Sequence, residues 1–244
     1  YHSYYLATAT MGAKNALTLH LPQSKHVFQV GADFIPARVS SSGTAVSQNL
    51  AFVGFGIVDK ARGHVDYKDG DLRGSIAVML NHEPGEGNPK SPFDGLVASE
   101  ASTPWRKVLD AQRAGALAVV FVNDIHNHGG VENFADVAAS TWPKEKRRLE
   151  TYTLKDWLDG IRIPVVSVST PTARTILGLS DAEFDKLIAS SESPTFRRIE
   201  LEKSLEITAS VNRGSLRDRN VIAAIPGTDP KLKDEWIVVS SHID

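Results

Sequence analysis

Hydrophobic and polar positions alternate in short runs along most of this chain, and three stretches carry the spacing of a helix. Leu17-Thr-Leu-His-Leu21 alternates with a period of two, as a half-buried strand does, and residues 27–30 read as a second short strand. Residues 31–36 and 40–43, rich in Gly, Ser and Pro, read as connections. Residues 50–57 are predicted to be a buried strand punctuated by glycines, and residues 64–80 a turn-rich lead into another strand. A helix is expected after Thr103, its N-cap, with Pro104 at its first position. Trp105, Val108, Leu109 and Ala111 share its apolar face, and Gly115 closes it. Strands follow at 117–122 and 163–168. A short helix is predicted over 170–178, and Ser180-Asp-Ala-Glu183 is a capping box that opens another. Residues 197–202 and 204–211 alternate as half-exposed antiparallel strands do, and 213–219 read as a turn. The elements add up to an α/β (α+β) fold.

The last stretch organises the rest. Two apolar runs, 221–225 and 236–239, have the length of buried strands, with Pro226-Gly227 and Asp229-Pro230 as turn signals between them. The second run delivers His242 and Asp244 just past its carboxyl end, the edge at which open α/β sheets bind ligands. A His followed two residues later by an Asp supplies a metal ligand and a carboxylate to orient it. On these residues alone, a polar loop is the favoured reading.

Other candidates are weaker. Residues 123–160 form a long connection holding Asp124, His126, His128 and Glu132. Two His and an Asp fall short of a closed or catalytic ligand set, so a polar loop with a Gly129-Gly130 turn is preferred. The basic run 144–148 reads as a solvated face. Glu83, Asp94 and Glu100 form a candidate carboxylate site, weighed against ordinary acidic loop residues. His20 and His26 read as strand and loop residues.

Composition narrows the classes. The chain has 244 residues, 41% hydrophobic and 23% charged, the balance of an ordinary globular protein. A net charge of −2 argues against a nucleic-acid-binding chain, and no apolar run approaches the ~20 residues of a membrane span. Cysteine is absent, which removes disulfides and thiolate chemistry. There is no Gly-x-Ser-x-Gly elbow, and Gly54-Phe-Gly56 lacks the third glycine of a dinucleotide fingerprint. The chain begins Tyr-His-Ser and stops after His-Ile-Asp, so a fragment cut at both ends is expected.

Asn220-Val-Ile-Ala, then Pro226-Gly227, then an acidic–hydrophobic run into His242-x-Asp244 resembles the entry to the active site of the zinc aminopeptidase family, clan MH. That family includes bacterial leucyl aminopeptidases and glutamate carboxypeptidase. The resemblance implies that His242 is a first zinc ligand and that Asp244, counted with the catalytic residues, is the acid beside it that orients it. The family's bridging Asp, Glu pair, further Asp and last His lie beyond Asp244. A second resemblance lies upstream. Residues 52–57, Asp66-Tyr67, residues 71–80, the helix–Gly–strand run and Ile163-Pro-Val-Val resemble a protease-associated domain, with Ser75 where that family usually has Lys.

Together these imply a β-rich protease-associated domain, residues 45–194, inserted into the incomplete N-terminal part of an α/β zinc-peptidase domain. Residues 1–44 and 195–244 would belong to the peptidase. The complete enzyme would use two zinc ions to activate a water that attacks the first peptide bond of a peptide or protein substrate. One His and one Asp cannot hold a catalytic zinc, so this chain alone is expected to be inactive and to hold no tight zinc. The alternative is a non-catalytic module that gates substrates or binds proteins. Secretion or a periplasmic location is expected, along with self-association through a strand at 236–241.

Overall fold

The computed structural model of the protein describes residues 1–123, 133–145 and 152–241. In chain order its elements are β1 (His2–Met11), β2 (Ala16–Leu21), β3 (Ser24–Phe28), β4 (Phe34–Pro36), β5 (Gly43–Phe52), β6 (Val58–Asp59), β7 (His64–Val65) and β8 (Ile76–Leu80). There follow α1 (Pro104–Arg113), β9 (Ala118–Asn123), α2 (Phe134–Thr141), β10 (Thr153–Leu154), α3 (Lys155–Asp159), β11 (Val165–Ser169), α4 (Thr170–Leu177), α5 (Asp181–Ser191), β12 (Ile199–Ala209) and β13 (Val211–Asn220).

Eight of these strands form one mixed sheet in the order β3-β2-β12-β5-β8-β9-β11-β4. Its centre, β5 to β11, is parallel. Parallel strands are buried on both faces, and the sequence shows it. Ile76, Val78, Leu80, Val120 and Val122 join a core beneath α4 and α5. Ala77, Met79, Val119 and Phe121 alternate into a second core beneath α1 and α3. Val108 and Ala111 are the buried part of the predicted α1 stripe; Trp105 and Leu109 pack at its margin. The capping box at Ser180 forms as the sequence requires, and its bonds hold the Glu183 carboxyl below the usual carboxylate range.

The sheet continues into a ribbon of β1 and β13, to which the short β10 adds a third strand along β1. β2 pairs with β12, and β1 pairs antiparallel with β13 over ten positions, from Met11↔Val211 to His2↔Asn220. At the corner, Gly12 N donates to Ser210 O at 2.8 Å, and Asn15 bonds both sides, to Gly12 O and from Ser210 N. A Cβ on Gly12 would lie 2.1 Å from Ser210 Oγ and 2.9 Å from its Cβ. Gly12→Val is therefore expected to lower unfolding free energy by about 1–3 kcal/mol, as overpacking does; chemical denaturation measures it. Arg213 pins the ribbon to the body, donating to the carbonyls of Val39, Ser40 (3.1 Å) and Leu158 (2.8 Å).

Several expectations are corrected. The strand at 50–57 stops at Phe52, because Gly54 and Gly56 turn the chain with φ of 59° and 69°. A Cβ on Gly56 would meet Met79 Sδ at 2.6 Å. The connection at 31–36 contains β4, paired with β11. The connection at 123–160 contains α2 and α3; Asn133 caps α2, and Phe134 and Ala138, four apart, bury against Ile35. The expected turn at 213–219 is strand, since pairing with β1 supplies backbone partners along one edge of a sequence whose polar pattern did not advertise them. The runs 221–225 and 236–239 form no strand, nor does 236–241. The β1 register ends at His2↔Asn220, the described residues beyond it, 221–241, pair with no strand, and a lone strand leaves its backbone unpaired.

Candidate functional site

Five segments meet where the parallel strands end. β5 runs into Val53-Gly54-Phe55-Gly56, and Leu80 N donates to Gly54 O at 2.8 Å. β8 runs into Asn81-His82-Glu83, and Asn81 Nδ2 reaches Asn123 Oδ1, the end of β9, at 3.4 Å. Thr170, opening α4 after β11, donates its hydroxyl to Asn123 O at 3.0 Å. The fifth segment is the loop that leaves Glu83 and returns at Ser99. This carboxyl edge is where α/β sheets carry sites.

The buried acids and bases of the described residues gather here: His64, Asp66, Glu83 and Lys107, with Tyr67 beside them. Burying ionisable groups is costly unless each is paired or hydrogen-bonded. Lys107 sits on the apolar stripe of α1, 1% exposed. Its ammonium donates to Leu80 O at 3.2 Å and to His82 O, and stands 5.9 Å from the centre of the Phe55 ring. Glu83, also 1% exposed, takes the Ser99 amide on both oxygens (3.1 and 3.2 Å) and the Ser99 hydroxyl on Oε2. His64 Nε2 lies 2.9 Å from Asp66 Oδ1, while Asp66 Oδ2 accepts from Ile57 N at 2.8 Å. The Tyr67 hydroxyl donates to Gly56 O at 3.3 Å; burial, then the charges of Asp110 and Asp66, push its phenol up.

Both oxygens of Glu83 and of Asp66 are thus occupied by the protein's own donors. The arrangement clamps chain segments together rather than presenting a base to a substrate. Among the described residues no group of three or more His, Asp or Glu side chains is placed to hold a metal ion.

His242 and Asp244, and likewise Asp124, His126, His128 and Glu132, lie outside the described residues. The carboxylates of Glu83, Asp94 and Glu100 are not brought together. Glu83 holds Ser99, Asp94 pairs with Arg62, and Glu100 pairs with Arg106 at 3.0 Å. His20, on β2, lies 3.1 Å from Glu206, and His26, on β3, packs against the Phe28 ring. Sequence reasoning missed Lys107, the His64–Asp66 pair and Ser99. The first two carry a signal: a lysine on an apolar helix stripe, and a His and an acid two apart on one side of an extended segment. Nothing local marks Ser99, which matters only because the chain returns to Glu83.

Concavities also open at the surface of the described residues. One, about 800 Å³, borders the cluster at Asp66 and Tyr67. Others lie elsewhere: about 960 Å³ between β1 and the end of α2, where Arg38 lies over the Trp142 ring; about 700 Å³ over β2 and β12; and an apolar groove of about 310 Å³ between α5 and β12. Among the described residues no helix is long and apolar enough to cross a membrane.

No family model matches the chain, and no curated protein does. Solved structures do. An aminopeptidase from Aneurinibacillus sp. strain AM-1 is similar at 16% identity and a TM-score of 0.41, over 88% of this chain and 35% of that one. A zinc aminopeptidase from Bacillus subtilis is similar at 13% identity and a TM-score of 0.35, over 88% of this chain and 36% of that one. A second structure of the Bacillus subtilis enzyme gives the same identity and score. The chain spans about a third of the length of these proteins. At TM-scores below 0.5 the likeness assigns no chemistry to this chain.

Proposed function

We propose that this chain is the N-terminal and protease-associated portion of a zinc-dependent aminopeptidase, and that it carries no complete metal centre of its own. The observation that carries the reading is the ordered string Asn220-Val-Ile-Ala, Pro226-Gly227 and His242-x-Asp244, behind a segment that resembles a protease-associated domain. Exposure supports it. Ile225, Ile237, Val238 and Val239 are each 85–95% exposed, and Trp236 is 75% exposed. A contiguous apolar run of this kind marks a surface that another unit covers. In this reading residues 1–44 and 195–244 belong to the peptidase unit and 45–194 to the protease-associated unit. His242 is the first zinc ligand and Asp244 the acid that orients it. The substrate is a peptide or protein with a free N-terminus, and the location is secreted or periplasmic. Residues 236–241 would be the surface of self-association.

A catalytic zinc takes three protein ligands, and His242 with Asp244 beside it falls short of that set. The 244-residue chain is therefore expected to show no turnover of leucine p-nitroanilide above a zinc blank and no stoichiometric zinc by elemental analysis. Measurable aminopeptidase activity would sink the reading of an incomplete centre. Reading the encoding gene past the codon for Asp244 tests the larger claim: an Asp, a Glu pair, a further Asp and a His should follow in frame. In the protein so extended, His242→Ala should abolish activity.

A second reading is a non-catalytic module that gates substrates or binds proteins. The internal commitment of Glu83, Asp66 and Lys107 favours it for the body of the chain. A frame that continues without further ligands would select it.

A further inference from the structure

The loop between Glu83 and Ser99 departs from the structure around it in three ways. Its ends are tied together by the buried Glu83–Ser99 bonds, and it fills itself with its own contacts: Ser91 Oγ donates to Pro84 O at 3.1 Å, and Asn88 N to Gly85 O at 2.8 Å. Compact surface loops with close ends, packed by their own side chains, are frequently functional. Among the described residues, His82 and Asp94 are the non-glycine residues with positive φ, 63° and 61°. One sits at the neck of the loop and one near its far side; residues held in this region tend to mark switch segments. The loop also lies against the clustered buried ionisable groups. Its Phe93, 1% exposed, packs edge-on to His64 with ring centres 5.3 Å apart, and its neck carbonyl at His82 accepts from Lys107.

On the outer side the loop is fastened at two places: Glu192, just past α5, accepts from Gly85 N at 2.7 Å, and Arg62 holds the half around Phe93. Arg62, in the turn between β6 and β7, donates through Nη2 to both oxygens of Asp94 at 2.9 Å and through Nε to Pro92 O at 3.0 Å. Asp59 steadies the guanidinium by accepting from Nη1 at 2.8 Å. These bonds flank Phe93, so Arg62 holds the residues on either side of the loop's buried anchor. The Arg62–Asp94 pair is part-exposed, 31% and 51%, and so is open to screening by salt.

We propose that residues 83–99 are a latched cover that opens as a unit, with Arg62 as the latch, and that opening admits solvent to Lys107, Glu83 and His64. This goes beyond the peptidase reading and does not depend on it.

The test is hydrogen exchange on the full chain, with amine labelling of Lys107 read by mass spectrometry. In Arg62→Ala, peptides within 84–98 should exchange at least about tenfold faster, while those of β8 and β9 are unchanged. Lys107 should label correspondingly faster. Asp94→Asn keeps a side chain that tolerates positive φ but loses the charge, and it should reproduce both changes. Raising salt on the unaltered protein should move loop exchange in the same direction. Unchanged loop exchange in both variants overturns the proposal. So does acceleration that spreads equally into β8 and β9, because the loop would then have no opening of its own.

Discussion

Replacing Phe52 with Ala is expected to lower unfolding free energy by about 4 kcal/mol, within the range of 3–5 for a buried Phe. Phe52 ends β5 with no exposure, and its partner in register, Ile199, lies on β12. The ring packs edge-on to Phe196 at 5.9 Å and lies in the core beneath α4 and α5. Removing it leaves a cavity at the point where the parallel centre of the sheet meets its antiparallel wing, and rigid strands on both sides limit collapse into the space. For a chain of this size each kcal/mol moves the melting temperature by about 2–4 °C, so calorimetry should find a fall of roughly 8–16 °C. Phe52→Leu, which keeps much of the volume, should lose far less. Equal losses for the two variants would mean that the cavity is not the cause.

Lys107→Ala is expected to lower stability by about 3 kcal/mol. Hydrogen bonds from a charged donor are worth about 1.5–3 kcal/mol. The truncation leaves the carbonyls of Leu80 and His82 without this donor and opens space beside Phe55. Lys107→Met keeps the stem and loses only the donor, so it should fall between. Urea titration of both variants measures the order. A loss under about 0.5 kcal/mol in Lys107→Ala would show that the two carbonyls find other donors, and the strand end would then not depend on the ammonium. The loss should be local first, at the neck of the 83–99 loop, because both carbonyls lie where β8 hands over to that loop.

These residues differ in how readable they were. Phe52 stands in an apolar run bounded by glycines, and burial followed from that pattern. Lys107 stood in plain view on an apolar helix stripe, where a lysine has to find partners inside the protein, yet no spacing named them. Those partners are backbone carbonyls 25 and 27 residues away. Arg62 and Asp94 are 32 apart, and Glu83 and Ser99 are 16 apart. Pairs at such separations are set by how loops return, which no local window records. The candidate carboxylates Glu83, Asp94 and Glu100 illustrate the same limit: they are close in sequence, and three different partners hold them apart.

The sequence by itself marked the helix over 104–113 and the helices over 170–177 and after Ser180, because caps and helix spacing rest on contacts within a few residues, and it marked the apolar runs and the alternation of 197–202 and 204–211, which the structure joins into the one strand β12. It also carried the motif string around His242 and Asp244. Only the tertiary structure decided that polar residues 211–220 are strand, since a partner strand ten residues long supplies their backbone bonds. It likewise decided that the apolar runs 221–225 and 236–239 are exposed, since composition makes a strand only where a neighbour pairs with it. The gathering of His64, Asp66, Glu83 and Lys107 beneath one loop came from the fold as well, because burial of charge is settled by donors and acceptors that the sheet and its crossovers bring together.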